Sequence, residues 1–195
     1  MQDLKGKVAF VSGASTGIGA AVAKAYAAHG MAVAVHYNSS EGPAGEVVAA
    51  IRAAGGKAEA IRADVRDSQA IKAAVARALE AFGRIDVLVN NAGSLVKRVP
   101  IAEMTDELFD EVLRVNAFSA LAFCREVVPA MRRQGSAASI INVTSVAARH
   151  GGGPGAYLYA GSKGFVSTAT RGLAKELVGD GIRVNAVAPG VIVTP

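Results

Sequence analysis

Tyr159 and Lys163 stand four residues apart in Tyr159-Ala160-Gly161-Ser162-Lys163. On a helix that spacing puts a phenol and an ammonium on one face. A nearby positive charge favours phenolate over phenol. A tyrosine so placed can give a proton to a carbonyl oxygen or remove one from an alcohol. The spacing alone is weak, and its force comes from context. Ser145 closes Asn142-Val143-Thr144-Ser145 at the end of an apolar run. Its hydroxyl there can hydrogen-bond a substrate oxygen beside Tyr159, although a turn or capping role is the commoner reading of such a serine. Tyr157 has Gly161 four residues on and therefore no basic partner.

A second constellation is rich in glycine. Ser12-Gly13-Ala14-Ser15-Thr16-Gly17-Ile18-Gly19 joins an apolar run to an Ala-rich stretch. Gly13 suits a tight turn, Gly17 lets backbone approach a pyrophosphate, and Gly19 lets a helix pack on a sheet. The N–H groups of Ser15, Thr16 and Ile18 would open that helix and meet phosphates. The spacing is G-x-x-x-G-x-G, and no lysine follows, so it is not a P-loop. About 20 residues on, where an NAD site places an acid, the chain reads His36-Tyr37-Asn38-Ser39-Ser40. Asn38, Ser39 and Ser40 can donate to a 2′-phosphate without repelling it, which favours NADP(H) over NAD(H). That segment holds no arginine. Glu41 is expected in the first turn of the next helix, where an acid suits the dipole.

Elements that could hold these groups alternate along the chain. Apolar runs predict strands over 8–11, 32–35, 58–61, 85–89, 139–143 and 182–188. Helices are predicted over 18–29, 43–54, 68–82, 105–133 and 156–178, with Thr105 as an N-cap. Residues 151–155 are a Gly-rich loop, and His150 is assigned to it. Such alternation calls for a parallel sheet with helices on both faces and ligands at the strands' carboxyl ends. No linker or repeat divides 1–195, so one domain is expected.

Composition excludes other classes. The net charge is +5, but the 21 Lys and Arg are dispersed, with no basic stripe or aromatic platform for nucleic acid. The excess suits a polyanionic cofactor. Cys124, the only cysteine, lies among apolar neighbours and reads as a buried thiol. His29, His36 and His150 lack metal-ligand spacing, so no metal is expected. No G-x-S-x-G surrounds any serine. The opening residues are too short an apolar run for a signal peptide or membrane span; the cytoplasm is the expected location.

Taken together, Ser12-Gly13-x-x-x-Gly17-x-Gly19, Asn90-Asn91-Ala92-Gly93, Ser145, Tyr159-x-x-x-Lys163 and Pro189-Gly190 resemble the short-chain dehydrogenase/reductase family over nearly the whole chain. The likeness is strongest to its 3-oxoacyl-acyl-carrier-protein reductase-like branch. The resemblance implies a Rossmann-type doubly wound sheet and an oxidoreductase that moves a hydride between NADP(H) and a carbonyl or secondary alcohol. Tyr159 would be the general acid/base, Lys163 would favour its phenolate and hold the nicotinamide ribose, and Ser145 would orient the carbonyl. Asn116 would anchor a water-linked proton relay. Asp64 would bind adenine with Val65 beside it. Asn90, Ala92 and Gly93 would line the cofactor, Pro189 and Gly190 would border it, and Ile192 and Thr194 would meet the carboxamide and phosphates. A homodimer or tetramer is implied. Family members continue past the position of Pro195 through a substrate-covering helix pair and a last strand. Without that segment the pocket would lack a wall, and cofactor binding would survive better than turnover. The alternative is a sensor or scaffold that binds the dinucleotide without chemistry.

Overall fold

The computed structural model describes residues 4–193. Six strands form one sheet: β1 (Val8–Val11), β2 (Ala32–Tyr37), β3 (Lys57–Arg62), β4 (Val87–Asn90), β5 (Ala138–Val143) and β6 (Ile182–Val187). All pairings are parallel, in the order β3-β2-β1-β4-β5-β6. The order reverses between β1 and β4, which is where a doubly wound sheet opens a crevice at its carboxyl edge.

β1 is apolar at every position because both of its faces are covered. Phe10, with Ala34, Leu88 and Ile140, faces α3 (Ser68–Phe82) and α5 (Ser119–Gln134) through Ile71, Val75, Phe123 and Val127. Val11, with Val33, Val35 and Val89, faces α1 (Gly17–Ala28) and α2 (Glu41–Ala53) through Ala20, Ala23, Val47 and Ile51. Each buried Val, Leu, Ile or Phe contributes roughly 1.5–3 kcal/mol. Strands of only four residues, β1 and β4, can therefore hold the crevice open at a fixed width. α7 (Tyr157–Leu177) lies on the α5 side, with Leu177 in the same core and Val166 against Ala117 and Ala120.

The expected elements are present, most with ends shifted by one or two residues, and three differences stand out. The single helix expected over 105–133 is α4 (Asp106–Leu113), a π-helical turn (Arg114–Phe118) and α5. The cause is Asn116. Its Nδ2 donates to the Val112 carbonyl at 3.0 Å and to the Ser94 carbonyl at 2.8 Å. A side chain that takes a backbone acceptor competes with the regular ladder, and π turns mark such places. His150, expected in a loop, ends a short helix α6 (Ala147–His150). β4 starts at Val87 rather than at residue 85. Just before it, the buried Asp86 carboxylate accepts the Val8 N–H at 2.9 Å and the Arg84 Nε at 2.8 Å.

The expected caps hold. Thr105 Oγ accepts the Leu108 N–H at 3.3 Å, and Glu41 sits in the first turn of α2. Cys124 is buried. No helix among the described residues is long and apolar enough to cross a membrane. Among the same residues no three His, Cys, Asp or Glu side chains cluster as metal ligands.

Candidate active site

The crevice is built from two turns locked together. Ser12, at the end of β1, is buried, and its Oγ accepts the N–H groups of Asn91 and Ala92, both at 3.0 Å. Asn91 answers with its Nδ2, which donates to the carbonyls of Ser12 and Gly13, both at 2.9 Å. The glycine turn after β1 and the loop after β4 thus form one rigid floor. Gly19 is the tight point. A Cβ there would meet the Gly13 carbonyl oxygen, Asn91 Nδ2 and the Ala14 Cα, all closer than side chains tolerate. Its lack of a side chain serves this floor rather than the expected packing of helix on sheet.

Above the floor, α1 begins at Gly17 with Thr16 as N-cap. Among the described residues Thr16 makes no side-chain cap, and the first turn carries no acid. An uncapped helix start facing a cavity leaves N–H donors and the positive dipole end for an anion. That donor set fits a pyrophosphate. The cavity has a volume of about 440 Å³ and is lined by Gly13, Ser15, Thr16, Gly17, Ile18, Ala92, Gly93, Ser145, Tyr159, Lys163, Pro189, Gly190 and Ile192. Those are thirteen of the residues singled out in the sequence, drawn from both halves of the chain.

α7 presents Tyr159 and Lys163 to this cavity. Lys163 is only 4% exposed, and its Nζ donates to the Val143 carbonyl at 2.9 Å. The ammonium lies 5.8 Å from the centre of the Tyr159 ring. Burial pulls the Lys163 pKa down to about 8. Gly93 makes room for it: a Cβ there would stand 2.9 Å from Lys163 Nζ and 2.8 Å from Asn116 Oδ1. Ser145 is half-buried, and its Oγ accepts the Ala147 N–H at 3.1 Å. It therefore caps a turn and lines the cavity at once. The Tyr157 hydroxyl is buried without a hydrogen-bond partner among the described residues and takes no part.

Other singled-out residues lie away from the cavity. Asn116 is buried behind Gly93, with its Oδ1 accepting the Ser94 N–H at 3.0 Å. Asn90 turns its amide into the core, donating to Asn142 Oδ1 at 2.8 Å and to the Ala120 carbonyl at 3.2 Å. Asn142 passes the chain on to Thr170 Oγ1 at 2.9 Å, which ties β4 and β5 to α7. Asp64 is engaged by Arg66, with Nη2 at 2.7 Å from Oδ2 and the backbone N–H at 2.9 Å from Oδ1. The Arg66 hydrogen bond holds its carboxyl below the usual carboxylate range. Val65 is buried in the core. Asn38 and Ser39 are exposed after β2, and Ser40 is the N-cap of α2 without using its side chain as a cap. Thr194 lies outside the described residues.

Sequence reasoning missed His36. The ring is buried at the end of β2, where Nδ1 accepts the Gly13 N–H at 3.1 Å and Nε2 sits 3.1 Å from the Ala63 carbonyl. The only sequence signal is a polar residue interrupting an apolar run. Burial pushes its pKa down to about 4, so the native ring is neutral. An unfolded histidine titrates near 6.5. Between these values the unfolded chain binds more protons, so stability is complete above about pH 6.5 and declines as pH falls towards 4. The loss assigned to this ring is about 3 kcal/mol. Urea unfolding at pH 7 and pH 4.5 should show the decline in the wild type and a smaller one in His36→Gln. Equal declines would remove His36 as the cause.

A parallel sheet whose strand order reverses at β1 and β4, with an uncapped helix start at that switch point, defines a Rossmann-type nucleotide-binding fold. The sequence pattern described as short chain dehydrogenase matches residues 7–195, and the chain belongs to that family of oxidoreductases. The short-chain reductase protein NovJ of Streptomyces niveus is 50% identical over 188 residues, spanning 96% of this chain and 70% of NovJ. A short chain dehydrogenase from Burkholderia cenocepacia J2315, solved in complex with NADP, matches with a TM-score of 0.93 at 40% identity, over 98% of this chain and 76% of that one. The NADH-dependent reductase A1-R′, complexed with NAD, matches with a TM-score of 0.91 at 37% identity, over 97% of this chain and 80% of that one.

Proposed function

We propose that this protein is a carbonyl reductase or alcohol dehydrogenase that uses NADP(H). The observation carrying this reading is that Ser145, Tyr159 and Lys163 line the same cavity as the glycine turn and the uncapped start of α1. Bound there, the nicotinamide would supply or accept a hydride. The protein's part is to bind, orient and move one proton. Tyr159 gives its hydroxyl proton to the carbonyl oxygen in reduction and takes one from the alcohol in the reverse direction. Ser145 accepts from Ala147, which leaves its own hydroxyl hydrogen free to fix that oxygen. Lys163 spends one of three donors on Val143; the others hold the nicotinamide ribose.

Around these groups, Asn116 fixes the Ser94 backbone beside Lys163, the position from which a water-linked proton relay starts. Asp64 and Val65 border the adenine, with Arg66 holding the Asp64 carboxylate in place. Asn90 acts from below, by tying β4 to β5 and α5. Pro189, Gly190 and Ile192 form the nicotinamide side of the cavity. Asn38, Ser39 and Ser40 face the 2′-phosphate with donors and no carboxylate, which supports NADP(H). The partly exposed Phe109 on α4 and Phe165 on α7 support assembly as a dimer or tetramer.

Titration with NADPH and NADH, read by nicotinamide fluorescence, tests the cofactor. A panel of ketones and aldehydes then tests turnover by loss of NADPH absorbance. NADPH should bind at least ~10-fold more tightly, about 1.4 kcal/mol. Tighter NADH binding would overturn the cofactor assignment. Binding without turnover on any carbonyl would leave a dinucleotide sensor.

A further inference from the structure

The 2′-phosphate reading leaves a charge problem. No Lys or Arg occurs from Met31 to Ile51, so the segment that meets the phosphate brings only neutral donors. A dianionic group held by hydroxyls and amides alone lacks the opposite charge and the bidentate fork that a guanidinium supplies. The sheet register supplies a cation from the neighbouring strand. β2 and β3 run parallel with Tyr37 beside Arg62, so Arg62 stands next to the residue that precedes Asn38. Its Nε donates to the Asn38 carbonyl at 3.1 Å. This fixes the guanidinium against the backbone of the Asn38-Ser39-Ser40 turn and leaves its two Nη groups without an acceptor among the described residues. Arg62 also forms no ion pair among them, whereas Arg66, Arg77, Arg84, Arg125 and Arg132 each do. Arg62 is exposed, so the fork is open to a ligand and little desolvation opposes its use.

We propose that Arg62 is the specificity-determining cation of this protein, reaching across from β3 to hold the 2′-phosphate of NADP(H) over Asn38, Ser39 and Ser40. This rests on the NADP(H) reading above and adds the residue that enforces it. A planar fork already tethered by Nε presents its remaining donors to phosphate oxygens as a pair. The orientation costs little further entropy, because the Asn38 carbonyl has fixed the side chain already.

The test is calorimetric titration of the wild type, Arg62→Gln and Arg62→Lys with NADPH, NADH and adenosine 2′,5′-bisphosphate. In Arg62→Gln, NADPH and the bisphosphate should bind about 10- to 100-fold more weakly, while NADH changes by less than ~2-fold. Arg62→Lys should retain part of the preference, and the preference in the wild type should shrink as salt is raised. Equal weakening of NADPH and NADH in Arg62→Gln would mean that the residue only braces the Asn38 turn, and would overturn the proposal. So would unchanged NADPH binding in Arg62→Gln when the wild type prefers NADPH. A wild type that prefers NADH would instead overturn the cofactor reading itself, a result visible before any variant is compared.

Discussion

Replacing Tyr159 with Phe is expected to lower turnover by about two to four orders of magnitude, the usual worth of a positioned acid or base, while dinucleotide affinity stays within a factor of ~2. The ring survives, so the cavity keeps its wall. The Lys163 ammonium keeps its hydrogen bond to Val143, and with it the contact proposed for the nicotinamide ribose. Only the hydroxyl proposed to handle the proton is lost. Steady-state kinetics with NADPH and a responsive carbonyl substrate, set beside a fluorescence titration, separate the two quantities. Turnover within tenfold of the wild type would exclude Tyr159 as the acid. A parallel loss of affinity would show instead that the phenol shapes the cofactor site.

The second large effect is structural, and two opposed terms decide its sign. Gly19 lies inside α1, where alanine is normally better than glycine by about 1 kcal/mol. On propensity alone Gly19→Ala would raise stability. The added Cβ, however, would stand 2.9 Å from the Ala14 Cα and closer still to the Gly13 carbonyl. These are backbone atoms of a turn pinned by Ser12 and Asn91 and cannot swing away. Overpacking of this kind costs about 1–3 kcal/mol, occasionally more. We expect the clash to win, with a fall in Tm of several degrees, on the order of 2–4 °C per kcal/mol for a chain of this size. Dinucleotide binding should fail as well, because relief of the clash moves the turn proposed to meet the phosphates. A melt followed by circular dichroism without ligand reads the first effect and titration reads the second. A raised Tm would show that the floor yields more easily than its hydrogen bonds imply.

Much of the site was legible because its groups sit where period and composition change. Tyr159 and Lys163 share a helical spacing, Ser145 ends an apolar run, and the glycines interrupt one. Such marks are local, and the chain carries them whatever its tertiary structure. The braces were not legible, because their meaning depends on partners far along the chain. His36 meets Gly13 across 23 residues, and Ser12 meets Ala92 across 80. The polar interruption of an apolar run at His36 does not by itself distinguish a buried, hydrogen-bonded ring from an exposed one. Arg62 was invisible for a related reason: a search of the segment after β2 finds no cation, and only the strand register brings one there. Asn116 is legible only through the family resemblance; that it opens the helix into a π turn depends on the Ser94 backbone opposite. Asp64 is likewise named by the resemblance alone, and its bidentate contact with Arg66 appears only in the structure.

The π-helical turn at 114–118 sets the rotational phase of the long rod made by α4 and α5. One surplus residue in a helix advances everything after it by about 100°. Upstream of the turn, Leu113 leans towards the Val166 patch of α7; downstream, Phe123 and Val127 look into the sheet. The wider π turn absorbs such a residue, so a deletion within 114–118 would close it into regular α-winding and leave the downstream stripe facing the sheet, at the cost of the Asn116 contacts to Ser94. A deletion elsewhere in the rod finds no such slack and turns that stripe away from the sheet by about 100°, so tolerance to deletion here is set by position rather than by the chemistry of the lost side chain.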